Sequence, residues 1–425
     1  MSFLKLPWWI MGRRFEQHNA NVDPVMPSAM NAGGGDQIPI RCTFMRGGSS
    51  RGGVFLDDDL PQDEVQRAAV LLAAYGSPDD RQIDGIGGAD PLTSKAAVVK
   101  LSSRPDAEIE YTFYQVGIDN PSVSTGGNCG NMLAAVGPFA IRRGLIDAVE
   151  PETIVRIYNT NTRQVVVSRI PVRDGEPLSD GDCAIAGVPD TGAPIRLDFG
   201  NCAGAVSGKL LPTGRAREAI SIDGKTIEVS LIDAATPFVF VNAVDVGAVG
   251  TESPDALRIN EMLMSRLEQV RGWAAVKLGL VTDQAEARTK SPNIPRVIMV
   301  SPPRSYSAIG GHEVAASDID ICVRQLAMQR PHKALAVTGA VCTAVACSVP
   351  NSVVAAAIGK PLQNVRLGHP SGVLRVASSI AQGASGPIIE SAQIERTARI
   401  IMDGAVYIRR RKFEELAAAL ARKIA

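Results

Sequence analysis

The chain has 425 residues, and its 44 Lys+Arg balance its 44 Asp+Glu, so the formal net charge is zero. That balance excludes the basic footprint of a nucleic-acid binder. Apolar residues make up 45% of the chain, enough for one or two cores, yet no apolar run reaches the roughly 18 residues a membrane-spanning helix needs. The seven cysteines, Cys42, Cys129, Cys183, Cys202, Cys322, Cys342 and Cys347, are odd in number and never spaced CxxC. This argues against a disulfide framework or a zinc knuckle and fits reduced thiols in a cytoplasmic protein. The four histidines, His18, His312, His332 and His369, form no HExxH-type set, so no metal site is expected.

Residues 1–37 differ from the rest. A short apolar run from Lys5 to Met11 is followed by Arg13-Arg14 and then a polar stretch rich in Gly, Pro and Asn. The run is too short and irregular for a secretory core. The segment reads as a disordered extension or an over-long start, with Met26 or Met30 as the alternative first residue; an anchor helix is the competing reading.

Order begins near Ile38. Residues 39–45 alternate like a strand, Arg46-Gly-Gly-Ser-Ser-Arg-Gly-Gly53 reads as a glycine loop, and 54–56 as a second strand. Strand, glycine loop, strand is not the context of a dinucleotide or P-loop fingerprint. A helix is predicted over 63–75, closed by Gly76, with strands over 96–101 and 109–116. Residues 131–143 are apolar on every side and stop at Gly144, and 339–350 repeat that character and stop at Pro350-Asn351. A helix apolar all round must be buried all round. Short β-like runs lie between them, over 153–158, 164–170, 227–231, 237–244 and 296–300. The pattern predicts an α+β protein of two similar halves, each a curved, mostly antiparallel sheet around one buried helix. The boundary is expected where Pro212-Thr-Gly214 interrupts the pattern, giving 38–209 and 210–425.

Five segments could carry chemistry. Asn128-Cys129-Gly130-Asn131 opens the first buried helix, where unpaired N–H groups and a partial positive charge suit a reactive thiol or a bound carboxylate. A small buried cysteine beside a glycine turn is the plain alternative. Lys95 ends the turn-rich run from Asp84 and enters an apolar strand, where desolvation would make it a usable base; an ordinary surface lysine is the alternative. The Arg46–Gly53 loop suits a carboxylate or phosphate, or is a tight turn with solvated arginines. His369, in Gly368-His-Pro-Ser-Gly372, reads as a substrate ligand or a structural histidine. Val337-Thr338-Gly339-Ala340 opens the second buried helix as a second anion site, with Cys342 and Cys347 as packing residues.

Met45-Arg-Gly-Gly-Ser-Ser-Arg-Gly52, Gln82-Ile-Asp-Gly-Ile-Gly-Gly88, Thr93-Ser-Lys95, Gly127-Asn-Cys-Gly-Asn131, Ala135-Val-Gly-Pro-Phe-Ala140 and His369-Pro-Ser-Gly372 together resemble the PrpF family, from about Ile38 to Ile408. The resemblance implies the diaminopimelate epimerase-like fold, with a site between two similar domains. It implies a cofactor-independent isomerase that moves a C=C bond in a small unsaturated di- or tricarboxylate. Lys95 and Cys129 would be the catalytic pair. Substrate contacts would come from Arg46, Ser49, Ser50, Asn128, Gly130, Asn131, Thr338, Gly339, Ala340, His369, Ser371 and Gly372. No metal, nucleic acid or membrane partner is implied, and a homodimer is compatible. The second thiol of the epimerases would stand near Ala336 and is missing, which argues against a two-thiol racemase. Ala89–Lys95 and Leu210–Gly214 resemble the oxalomesaconate tautomerase branch; 2-methylaconitate or aconitate is the alternative substrate, and a non-catalytic tricarboxylate-binding accessory protein the alternative class.

Overall fold

The computed structural model describes residues 35–125, 127–200, 202–327, 329–383 and 386–424. Of the expected N-terminal extension, residues 1–34 lie outside the described residues.

Period-two burial builds the first strands. In β1 (Gln37–Gly47), Ile38, Ile40 and Cys42 turn to one core face, and β2 (Ser50–Leu56) folds back antiparallel with Gly47 opposite Ser50. The expected glycine loop over 46–53 is therefore mostly strand, turning only at Gly48-Ser49, where Gly48 takes φ 51°. Gly52 serves close approach instead: a Cβ there would stand 1.7 Å from the Lys95 carbonyl oxygen on the next strand. Helix α1 (Glu64–Tyr75) starts where the Asp63 side chain accepts the Gln66 N–H and ends at Gly76 with φ 73°. β3 (Lys95–Leu101) then lies parallel to β2, and β4 (Ile109–Val116) antiparallel to β3.

The first buried helix, α2 (Gly130–Arg142), is buried at every position from Gly130 to Ile141. Fully enclosed side chains such as Leu133, Val136 and Phe139 contribute about 1.5–3 kcal/mol each by leaving water. β5 (Glu152–Asn159) returns parallel to β4, and β6 (Gln164–Arg173) antiparallel to β5. β7 (Ile195–Asp198) extends this sheet beside β6.

After β8 (Glu218–Ile222) the same order runs again. β9 (Lys225–Ala234) and β10 (Thr236–Asn242) form a hairpin, α3 (Glu261–Lys277) crosses over, and β11 (Arg296–Ser301) lies parallel to β10. β12 (Ile321–Ala327) is antiparallel to β11, the second buried helix α4 (Val337–Ser348) follows, and β13 (Asn364–His369) is parallel to β12. β14 (Gly372–Gly383) and β15 (Gly386–Arg396) complete the meander, and β15 pairs with β7 to join the sheets. Hairpin, helix, parallel strand, antiparallel strand, buried helix and parallel strand thus occur twice.

The last elements return to the beginning. β16 (Ala398–Arg409) pairs along all of β1, and α5 (Arg410–Ile424) puts Phe413 and Leu416 into the cluster formed by α1. A division at 209/210 alone would put this segment with the second half, whereas its pairing is with the first.

The repeat gives positional equivalences. Lys95 opens β3 as Arg296 opens β11. Cys129 caps α2 as Ala336 caps α4. Asn159 ends β5 as His369 ends β13.

Candidate active site

The two buried helices meet at their N-termini. A Cβ on Gly130 would stand 2.4 Å from Val337 Cγ1, so the first turns of α2 and α4 touch only because residue 130 is glycine. The first intrahelical bonds are Leu133 N–H to Cys129 O (3.0 Å) and Ala340 N–H to Ala336 O (2.8 Å). Gly130, Asn131 and Met132, and Val337, Thr338 and Gly339, therefore have N–H groups with no acceptor inside their helices. Ala340, expected among the anion donors, has spent its N–H within α4. Gly130→Ala should force the helices apart by part of an ångström. It should lower kcat/KM by roughly 10²-fold or more while the protein still melts cooperatively; calorimetry beside steady-state kinetics checks this.

Cys129 sits at the α2 N-cap with φ −127° and ψ 96°, and its side chain caps nothing. Its Sγ is 4.0 Å from Ser50 Oγ, and its carbonyl accepts the Tyr111 hydroxyl at 3.2 Å. Lys95 Nζ donates to Gln115 Oε1 at 2.8 Å and stands 5.0 Å from the Phe113 ring centroid. Gln115 is fixed in turn, since its amide nitrogen donates to Ser94 O at 2.9 Å. Tyr111, Phe113 and Gln115 alternate along β4 and so share one face. That face holds both the cysteine and the lysine on one wall. Both are 8% exposed. Burial lowers the Lys95 pKa below the ordinary lysine range; the Cys129 sulfur opposes this and Arg296 adds to it. Its described side-chain contacts are one hydrogen bond and an aromatic face, with no carboxylate among them.

Two arginines that the sequence reading missed close the site. The Arg296 Nη2 comes within 3.7 Å of the point where a Gly127 Cβ would be, and its Nε donates to Asn293 O at 3.2 Å. Arg396 is 3% exposed; its Nε donates to Asn131 Oδ1 at 3.1 Å and its Nη1 to Glu395 O at 2.8 Å. Burial lowers the pKa of both guanidiniums, that of Arg396 to about 10, and the Cys129 sulfur counters the shift in each. Neither forms an ion pair among the described residues. A sequence signal did exist for Arg296: it opens an apolar strand, as Lys95 does.

The remaining expected residues divide. Ser49 Oγ accepts from Asn131 Nδ2 at 3.1 Å, and Asn128 Oδ1 from Asn159 Nδ2 at 2.7 Å, so these groups are beside Cys129. Thr338 is buried at the α4 N-terminus, and Gly339 lets Gln325 approach, its Oε1 lying 2.3 Å from a would-be Cβ. His369 is 3% exposed and accepts the Ser371 N–H on Nδ1 at 3.2 Å. Ser371 donates its hydroxyl to Lys333 O at 2.6 Å, which makes it a tie between loops. Gly372 packs against Ala186 and His312. Arg46 is the correction: its Nη1 goes to Gly48 O, Thr397 O and Thr397 Oγ1 at 3.0, 3.1 and 2.9 Å, locking the β1–β16 end rather than facing Cys129. Leu210–Gly214, read above as a mark of substrate, is a turn on β9 where Leu210 O accepts the Asp233 N–H at 2.9 Å.

Residues 37–409 match the family model described as PrpF protein. The chain belongs to the PrpF family. It is 43% identical over 380 residues to 3-methylitaconate isomerase of Eubacterium barkeri, covering 89% of this chain and 99% of that one. It is 41% identical to (4E)-oxalomesaconate Delta-isomerase of a Novosphingobium species, over 86% of this chain and 97% of the relative. It is 37% identical to 2-methyl-aconitate isomerase of Shewanella oneidensis, over 88% and 97%. The crystal structure of a methylitaconate-delta-isomerase superposes with TM-score 0.77 at 42% identity, covering 89% of this chain and 98% of that one. These PrpF relatives are named as isomerases, and the α+β epimerase-like fold implied by the motifs is the fold of the chain. At the position where a racemase would carry its second thiol, this PrpF chain has Ala336 as the α4 N-cap.

Proposed function

We propose that the protein is an isomerase that moves a C=C bond by proton transfer in a small unsaturated tricarboxylate. The observation that carries this reading is a buried lysine and a buried cysteine on one wall, near two guanidiniums that lack ion-pair partners among the described residues. This reading puts the site between the repeated halves, taken as units divided near 209/210 with the C-terminal strand and helix returned to the first.

Neutral Lys95 removes a proton from a carbon beside the C=C–carboxylate system. The electron pair moves through the double bond into the carboxylate, giving an extended enolate. Helix N–H groups at Gly130–Met132 and Val337–Gly339 offer hydrogen bonds to that charge. Cys129 delivers a proton to the far allylic carbon, and the double bond has moved. In the reverse direction the two exchange roles. Arg296 and Arg396 neutralise carboxylates that stay charged throughout. Ser50 Oγ is 4.0 Å from Cys129 Sγ, and Asn131 stands in the first turn of α2.

The second half offers Ala336 and Arg296 where the first offers Cys129 and Lys95, so both proton transfers cross one face of the substrate. 4-Oxalomesaconate is the first substrate to try, with 2-methylaconitate, 3-methylitaconate and aconitate beside it. Incubation in heavy water should place deuterium at an allylic carbon of one of these acids, with suprafacial stereochemistry. A protein that binds the acids but exchanges nothing is a binding accessory, and the isomerase reading falls.

A further inference from the structure

The run Gln82-Ile-Asp-Gly-Ile-Gly-Gly88 is one of the motifs that resemble the PrpF family, yet no step of the reaction uses it. It precedes Lys95, and its first residue is strained: Gln82 holds φ 47°, a left-handed conformation that a side chain disfavours. That side chain is buried and engaged at both ends. Its Oε1 accepts the Ala89 N–H at 2.8 Å and the Ser94 hydroxyl at 2.7 Å, and its Nε2 donates to Ser77 Oγ at 3.0 Å. Gly87 makes room for it, since a Cβ there would stand 2.3 Å from Gln82 Cδ. One carboxamide thus ties the exit of α1, the middle of the loop and the residue before Lys95. From Ser94 the tie continues through a second carboxamide. Gln115 Nε2 donates to Ser94 O at 2.9 Å and to Pro91 O at 3.2 Å. An amide whose nitrogen faces two carbonyls turns its oxygen the other way, and that oxygen accepts from Lys95 Nζ at 2.8 Å. Three hydrogen bonds therefore lead from Gln82 to the amine.

We infer that Gln82 and Gln115 are positioning residues that hold the Lys95 amine in place through Ser94, and that this is the work of the 82–88 motif. That the held amine is a base rests on the proposed function; that it is held does not, so the amine is read without turnover. The probe is acetic anhydride on the full chain: acetylation of Lys95 is followed by mass spectrometry as the pH is varied, which gives the midpoint of the amine. Cys129, Arg296, Asp90 and His332 also act on its charge, and the variants leave all of them in place. A hydrogen-bond acceptor favours the charged amine. Gln115→Leu should therefore move the midpoint down by about one pH unit or more, the worth of a hydrogen bond to a charged group, and Gln115→Glu should move it up. Gln82→Gly removes the other side chain and tolerates positive φ; Ser94→Ala cuts the same link and serves if the glycine variant does not fold. Each of these two should loosen the loop, admit water and move the midpoint up by about half a pH unit or more, toward the ordinary lysine value. In turnover, kcat should fall about 10- to 100-fold in Gln115→Leu and Gln82→Gly while KM stays within about threefold. The double variant should be no worse than the poorer single one, because the two are links of one chain. A midpoint that stays put in folded Gln115→Leu, or in both folded Gln82→Gly and Ser94→Ala, overturns the inference. So does a parent midpoint at the ordinary lysine value, and so do kcat losses that multiply in the double variant. Absence of deuterium exchange with every acid sinks the isomerase reading alone and leaves the positioning role standing.

Discussion

Lys95→Ala and Cys129→Ala are each expected to lower kcat by about 10³–10⁴-fold, near the upper range for positioned acid–base groups. The double variant should be little worse than either single one, because the two residues act on one proton path. Lys95→Arg should fail equally, since a guanidinium does not surrender its proton. Neither loss should come from unfolding. Lys95 is buried and lacks a carboxylate partner among the described ion pairs, so Lys95→Met should leave the melting temperature unchanged or raise it. The pH profile follows from the direction of the shift. A base must be neutral to act, and burial lowers the Lys95 pKa, so the parent kcat/KM should rise with pH through that pKa and then level off. The rising limb should lie below the ordinary lysine value of about 10.4. Lys95→Ala should flatten that limb, whereas Cys129→Ala should retain it. Near-normal turnover in Lys95→Ala or Cys129→Ala sinks the assignment.

What the sequence made readable was set by burial and capping. Helices α2 and α4 announced themselves because a segment apolar on every side can only be enclosed, and α1 carried both its end signals, Asp63 and Gly76. The two similar halves followed from those helices, and the structure sharpens them into a strand-by-strand repeat. Glycine misled. The run over 46–53 has the composition of a ligand loop, but Gly52 is there because the Lys95 carbonyl passes where its Cβ would be, and composition cannot separate these causes. Arg46 misled for a related reason: its acceptors on Thr397 lie far away in the chain. The positions of Cys129 and Lys95 were legible because a helix N-terminus and a turn-to-strand exit are local features. The placement of Arg296 and Arg396 near Cys129 was not, since it depends on contacts between segments far apart in the chain. Only the equivalence of Arg296 with Lys95 could have pointed to one of them.

Arg296→Met and Arg396→Met test the charge of the cleft, and each should separate stability from function. Arg396 is buried and Arg296 half-buried, and each is held by hydrogen bonds to neutral groups, so each carries a desolvation penalty that a bound carboxylate would offset. Methionine fills similar space without that penalty. The variants should therefore melt at the parent temperature or above it, while kcat/KM falls by about 10²–10³-fold, the loss when one partner of a buried charge pair is truncated. The two should differ in how the loss divides. The described side-chain hydrogen bond of Arg296 goes to Asn293 O and not to Lys95 or Cys129, so its removal should appear mainly in KM. Arg396 also orients Asn131 in the first turn of α2, so its removal should lower kcat as well. The same penalty predicts that a tricarboxylate raises the parent melting temperature strongly and that of either variant weakly. Variants that lose stability along with activity, or that keep their response to the ligand, would make these arginines structural.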